Sequence, residues 1–231
     1  MDQKQLQEHI YQTYWWLRIG LFVLAIAFPF LLWGVGRWND INLQDSMSEY
    51  YFAFDPHESP LRAFPVRVVF VGILFALGVG LILYKGLSKP EDYLLNIAGI
   101  FALVAALCPM TTPDWCTYCG SNPWAYLHEW AGYIVFVCLG SVALFCTNST
   151  LKKLPPDKMR WKKWFLAGYV VIGGLMIGLP IIVKTSGMTR QWLFVVESIL
   201  LGLFAIYWAV RSWELWLSQL EWKAITGEDQ T

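Results

Sequence analysis

Trp15-Trp16-Leu17-Arg18-Ile19-Gly20-Leu21-Phe22-Val23-Leu24-Ala25-Ile26-Ala27-Phe28-Pro29-Phe30-Leu31-Leu32-Trp33-Gly34-Val35-Gly36 carries a single ionisable side chain, Arg18. A run of that length and polarity is what one helix needs to cross the hydrocarbon layer of a bilayer, about 20 apolar residues. Five more runs qualify, at about 66–84, 93–109, 126–146, 164–183 and 191–210. The third ends at Cys108-Pro109, where proline removes a backbone donor and stops a helix. The expected fold class is therefore all-α. It is a polytopic integral membrane protein, one domain over 1–231 built as a bundle of six transmembrane helices. An exported loop spans 37–65, and a cytoplasmic tail runs over 211–231. Trp213, Trp216, Leu217, Leu220 and Trp222 in that tail suit a last helix that continues out of the membrane, or one that turns along the interface.

Composition agrees. Of 231 residues, 57% are hydrophobic and 15% charged, against about 25% charged in a soluble domain. Fourteen Trp and eleven Tyr suit the membrane–water boundary. Net charge is zero, so no basic field argues for nucleic acid. The polar Met1–Tyr14 stretch has no small-residue cleavage site behind it, and a removed signal peptide is not expected. With six spans, one side of the membrane receives 12 of the Lys and Arg residues and the other receives 5. The positive-inside rule then puts both termini in the cytoplasm of a multi-pass cell-membrane protein. The six basic residues from Lys152 to Lys163 either fix that topology or bind anionic lipid. Asn148-Ser149-Thr150 matches a glycosylation sequon, but this topology leaves it on the cytoplasmic side.

The exported side collects the polar chemistry. Its first loop carries Asp45, Ser46, Ser48, Glu49, Tyr50, Tyr51, Asp55, His57 and Glu58. Arg67 stands at the mouth of the second span and His128-Glu129 opens the fourth. Glu197 lies inside the sixth, roughly 9 Å below the surface at 1.5 Å per residue. A carboxylate within a span costs about 2.5–3.5 kcal/mol unless it finds protein or water. Glu197 is thus expected to point inward, toward Arg67 and His128. Ser46, Ser48, Tyr50, Arg67, His128 and Glu197 form the candidate ligand-binding set. A salt bridge that merely pins helices would look the same from the sequence.

Three functions fit that set. The first is non-enzymatic: the protein binds a lipid headgroup or small polar ligand, or serves as an assembly partner. The second is a membrane-embedded hydrolase of a lipid-like substrate, with Ser48 or Ser46 as nucleophile, His128 as base and Glu197 as orienter. No Gly-x-Ser-x-Gly elbow supports it, and Ser46-Met47-Ser48-Glu49 reads equally as a helix cap. The third is a small proton-coupled transporter that uses Glu197. Membrane lipid is the expected partner, with homo-oligomerisation left open. No cofactor is expected, nor a metal, since no His pair has zinc-ligand spacing. Cys116 and Cys119 in the third loop can close a disulfide in an oxidising compartment. Cys108, Cys138 and Cys146 read as small packing residues. Gly72, Ala76 and Gly80, and likewise Gly168, Gly174 and Gly178, mark faces where helices approach closely. Pro29 and Pro180 are expected to kink their spans.

The order Ser46-Met47-Ser48-Glu49-Tyr50-Tyr51, Arg67 through Gly72, Tyr84-Lys85-Gly86, Asn96-Ile97-Ala98-Gly99 and Ala105 through Pro109, then His128 and Glu197, resembles a family of uncharacterised bacterial six-span membrane proteins. The resemblance runs from about Ser46 to Glu197 and implies the six-span fold and a bacterial inner membrane. It implies no reaction. Two departures stand out: Val68 replaces the family's Asp after the Arg, and 52–65 reads as an insertion. A more distant likeness is to alkaline ceramidase and progestin-receptor-like membrane hydrolases, whose His-x-x-x-His pair this chain lacks.

Overall fold

The computed structural model describes residues 2–53, 60–112, 122–186 and 192–227, and for 60–65 the backbone alone. The described residues form eight α-helices: α1 (Gln3–Trp38), α2 (Pro60–Leu83), α3 (Lys89–Leu107), α4 (Ala125–Ser141), α5 (Thr147–Leu151), α6 (Lys162–Ser186), α7 (Leu193–Ser218) and α8 (Leu220–Thr226). Among the described residues there is no strand. Six helical stretches are long and apolar enough to cross a membrane, with α4 and α5 counting as one continuous rod. The expected all-helical, six-span bundle is what is found.

The membrane helices pack as a closed ring. α1 touches α2, α2 touches α3, α3 touches α4, α4 touches α6, α6 touches α7, and α7 returns to α1. Up-and-down chain order gives this arrangement directly. The start of α1 and the short α8 lie together at one end of the ring, the terminal end. The opposite, loop end holds the ends of α1, α3 and α6 and the starts of α2, α4 and α7. Each helix turns a narrow apolar stripe inward: Leu21, Ala25, Phe28 and Leu32 on α1, and Leu95, Ala98 and Ala102 on α3. Their spacing of three and four residues places them on one helical face.

Three boundaries differ from the sequence reading. α1 starts at Gln3, not near Trp15, because Asp2 and Gln5 form a reciprocal cap that satisfies two orphan donors. Its 36 residues rise about 54 Å, so its first turns stand clear of a 30 Å hydrocarbon layer. The sixth span, bounded at 210 from the sequence, runs on as α7 to Ser218, the continuation that the spacing of Trp213, Trp216 and Leu217 suited. Gln219 then takes a left-handed conformation (φ 54°), and α8 runs on beside the first turns of α1. There Tyr11 packs edge-on against Trp222. Between α4 and α5 a π turn, Val142–Cys146, shifts the helical register, and Thr147 and Thr150 are buried behind it.

Of the glycines expected at close helix approaches, only Gly80 makes one, and the tightest approaches fall at other glycines. A Cβ on Gly78 would sit 2.9 Å from the Gly99 carbonyl oxygen, and one on Gly99 would sit 2.6 Å from that of Gly78. Gly140 and Gly173 mirror this contact between α4 and α6. Gly80 meets Leu21 of α1, whereas Gly72, Gly168, Gly174 and Gly178 face open space.

Candidate functional site

The loop end is closed by the first connection folding over the bundle. After Asn39 caps α1, the chain runs back toward α7, and the Phe194 N–H donates to the Asp45 carbonyl at 2.7 Å. That N–H is one of the first-turn donors a helix cannot satisfy itself. Two residues on, the Met47 N–H donates to Glu197 Oε2 at 2.6 Å. Ser46 Oγ accepts the Glu49 N–H at 3.2 Å, capping the short 3-10 turn Ser48–Tyr51. Met47 and Tyr50 are buried beneath it, Tyr50 against Gly36. Burial pushes the Tyr50 hydroxyl above its ordinary pKa, so it stays protonated.

This cap delivers Ser48 to His128. The imidazole Nε2 lies 2.8 Å from Ser48 Oγ, and Nδ1 lies 2.7 Å from the Cys108 carbonyl oxygen. A carbonyl only accepts, so in the neutral ring the proton sits on Nδ1 and the Nε2 lone pair faces the serine hydroxyl. The Cys108 carbonyl is free for this because α3 ends there: Cys108 is its C-cap, in extended conformation. His128 is buried and Ser48 half-buried, so the serine is the more accessible residue of the pair. Asn122, shortly before α4, donates to the Pro109 and Met110 carbonyls just past the end of α3.

Of the sequence candidates, Ser48 and His128 come together. Arg67, His128 and Glu197 do not form one cluster. The Arg67 Nε–H donates to the Tyr51 carbonyl at 2.6 Å, and its guanidinium lies 4.5 Å from the Tyr51 ring centre. Glu197, expected to pair with Arg67 and His128, takes a backbone N–H instead. Ser46 Oγ lies 3.7 Å from Met110 Sδ and does not reach His128. Asp55, His57, Glu58, Asp114, Cys116 and Cys119, and with them the disulfide expectation, lie outside the described residues. Among the described residues no three His, Cys, Asp or Glu side chains converge as metal ligands would.

A second polar cluster, at the terminal end, was missed. Arg211 of α7 donates to Glu91 of α3 (3.0 and 3.2 Å), to Glu214 one turn on (2.8 Å) and to Thr150 of α5 (2.7 Å). Glu214 also accepts from Thr150 and from the Tyr169 hydroxyl of α6, both at 2.6 Å. Nearby, Arg18 and Glu221 meet through two parallel bonds of 2.7 Å, tying α1 to α8. Tyr84 lies 3.5 Å from the same guanidinium. Sequence reasoning counted Arg18 and Arg211 as orientation charges. The available signals were the Arg211–Glu214 helical spacing and Glu91 as third residue of a Ser88-capped helix, where Ser88 Oγ accepts the Glu91 N–H. Every carboxylate in this cluster is held by donors, which fits a structural clamp.

Compared with protein-family models, curated proteins and solved structures, the chain matches none.

Proposed function

We propose that this multi-pass protein, with its termini in the cytoplasm and its loop end exported, is a membrane-embedded hydrolase that cleaves an acyl ester of a lipid-like substrate at Ser48. The observation that carries the reading is the 2.8 Å contact of Ser48 Oγ with a His128 ring whose other nitrogen is fixed on the Cys108 carbonyl. In this mechanism Ser48 Oγ attacks the ester carbonyl as its proton passes to His128 Nε2. The imidazolium returns that proton to the departing alcohol, and water then releases the acyl group by the reverse sequence. The Cys108 carbonyl takes the place of an orienting carboxylate: it fixes the tautomer and accepts from the charged ring. Glu197, the orienter expected from sequence, has no part in the pair.

Ligand binding without chemistry has less support, because Arg67 and Glu197 are engaged with the protein's own backbone. A carrier has less still. Glu197 and Arg211 are separated by roughly 21 Å of helix at 1.5 Å per residue. Leu200, Phe204 and Ala205 are buried between them on the inner face of α7. Membership of the six-span bacterial family, and with it an inner-membrane location, rests on the resemblance from Ser46 to Glu197.

A fluorophosphonate probe applied to native membranes tests the proposal. Labelling is expected in the wild type and in Ser46→Ala, and is expected to vanish in Ser48→Ala and His128→Ala with the fold retained. A wild type that resists the probe, or label that survives Ser48→Ala, reduces the pair to a clasp between the loop and α4.

A further inference from the structure

An open groove of about 410 Å³ runs along the outer seam of α1 and α7 at the terminal end. Its walls include Trp15 and Phe22 from α1 and Trp208, Trp213 and Trp216 from α7, with the buried Arg18 at its inner side. Most of a membrane protein's lipid-facing surface is convex, and scattered exposed apolar side chains there need no explanation. A concave slot with indole rings along it is different, because Trp marks the depth where lipid headgroups begin. An occupant at that depth has an apolar chain below and a polar head above.

Charge indicates which head. Trp213, on the groove wall, packs edge-on against Trp161 with ring centres 5.3 Å apart. The Arg160 guanidinium lies 5.5 Å from the centre of that same Trp161 ring. The groove therefore adjoins the segment that carries Lys152, Lys153, Lys158, Arg160, Lys162 and Lys163, in which Asp157 is the one acid. Arg160 and Lys163 are exposed. Glu214 and Glu221, the carboxylates nearest in sequence to the α7 wall, are buried in ion pairs. The local field on the outer surface is thus positive, and basic groups at a membrane surface attract anionic lipid.

We infer that this groove is a binding site for one anionic glycerophospholipid of the surrounding leaflet, with an acyl chain between α1 and α7 and the phosphate beside Arg160 and Lys163. The site is independent of the Ser48–His128 pair at the other end of the bundle.

The test is native mass spectrometry of the full chain in mild detergent, titrated with phosphatidylglycerol or phosphatidylcholine of identical chains. The wild type is expected to hold one phosphatidylglycerol about thirtyfold more tightly than phosphatidylcholine, the scale set by two surface cations. Ala209→Trp fills the groove from its exposed wall and is expected to abolish that retention, with Ser212→Trp as the replacement should the first variant misfold. Arg160→Gln with Lys163→Gln is expected to lower phosphatidylglycerol binding to the phosphatidylcholine level. Equal retention of the two lipids by the wild type, or undiminished phosphatidylglycerol binding in the groove-filled variant, overturns the proposal.

Discussion

Arg211 and Glu91 lie 120 positions apart in the chain and meet with one guanidinium nitrogen on both carboxylate oxygens, at 3.0 and 3.2 Å. Neither side chain is more than 1% exposed, and Glu214 on the other guanidinium arm is equally enclosed. The contact joins the start of α3 to the end of α7, which are not neighbours in the ring of helices. Thr150 and Tyr169 add α5 and α6 to the same knot.

Removing the cation should therefore be severe. Arg211→Met leaves two buried carboxylates without a counter-charge, and breaking a buried pair by one partner costs about 3–5 kcal/mol. Unfolding by SDS in mixed micelles should show a loss of that order. Adding Glu91→Gln and Glu214→Gln should recover part of it. The Lys85–Asp92 pair, whose lysine is 60% exposed, supplies the contrast: Lys85→Ala should cost at most about 1 kcal/mol. Similar losses for Arg211→Met and Lys85→Ala would show that the knot does not hold the bundle.

α8 should detach when its anchor is cut. It is joined to α7 through the single left-handed residue Gln219 and held by the Arg18–Glu221 fork. Glu221→Gln keeps the shape and removes the charge, so the short helix should open more often while the six spans stay folded. Trypsin cleavage after Lys223 is the readout, and its rate should rise severalfold without loss of the transmembrane core. An unchanged rate would mean that the Tyr11–Trp222 packing alone suffices.

The spans were legible because bilayer thickness imposes a length and polarity that no local choice can evade. Partnerships were not. Glu91, Thr150, Tyr169, Arg211 and Glu214 come from four helices, and charged residues near span ends ordinarily serve as interfacial anchors, so nothing in their spacing separated a knot from a boundary. Ser48 and His128 were legible as types at one end of the bundle. Their pairing depended on where α3 stops, which leaves the Cys108 carbonyl free. Glu197 was legible as an inward carboxylate, but its partner is the Met47 N–H, and a backbone donor has no sequence signature.

Glycine spacing misled at all the expected glycines but Gly80 for a related reason. Several faces of α2 and α6 carry small residues, and only contact decides which one a neighbour uses. Gly78→Val and Gly99→Val should disrupt α2–α3 packing, since the added carbons meet backbone oxygen at 2.9 and 2.6 Å. Gly72→Ala and Gly174→Ala face open space and should be neutral or slightly stabilising through helix propensity. The recovery of monodisperse protein after heating in detergent separates these outcomes. Loss of folded protein in Gly72→Ala would place a helix contact where none is found.

Glu197 should act on the Ser48 centre through the backbone. Its Oε2 accepts the Met47 N–H at 2.6 Å, one residue before Ser48, while Phe194 one turn earlier in α7 donates to Asp45. Glu197→Gln keeps an acceptor at that position, so the loop should remain docked. Glu197→Ala leaves a buried N–H unpaired, at a cost of about 1–3 kcal/mol. Amide exchange at Met47 should then accelerate in the alanine variant and stay close to wild type in the glutamine variant. Fluorophosphonate labelling of Ser48 should fall in the same order, since Ser48 keeps its 2.8 Å approach to His128 only while the loop is seated. If the glutamine variant loses labelling as fully as the alanine variant, the negative charge is what matters. Glu197 would then be a binding group for a cationic part of the substrate, and the role assigned here to its hydrogen bond would fail.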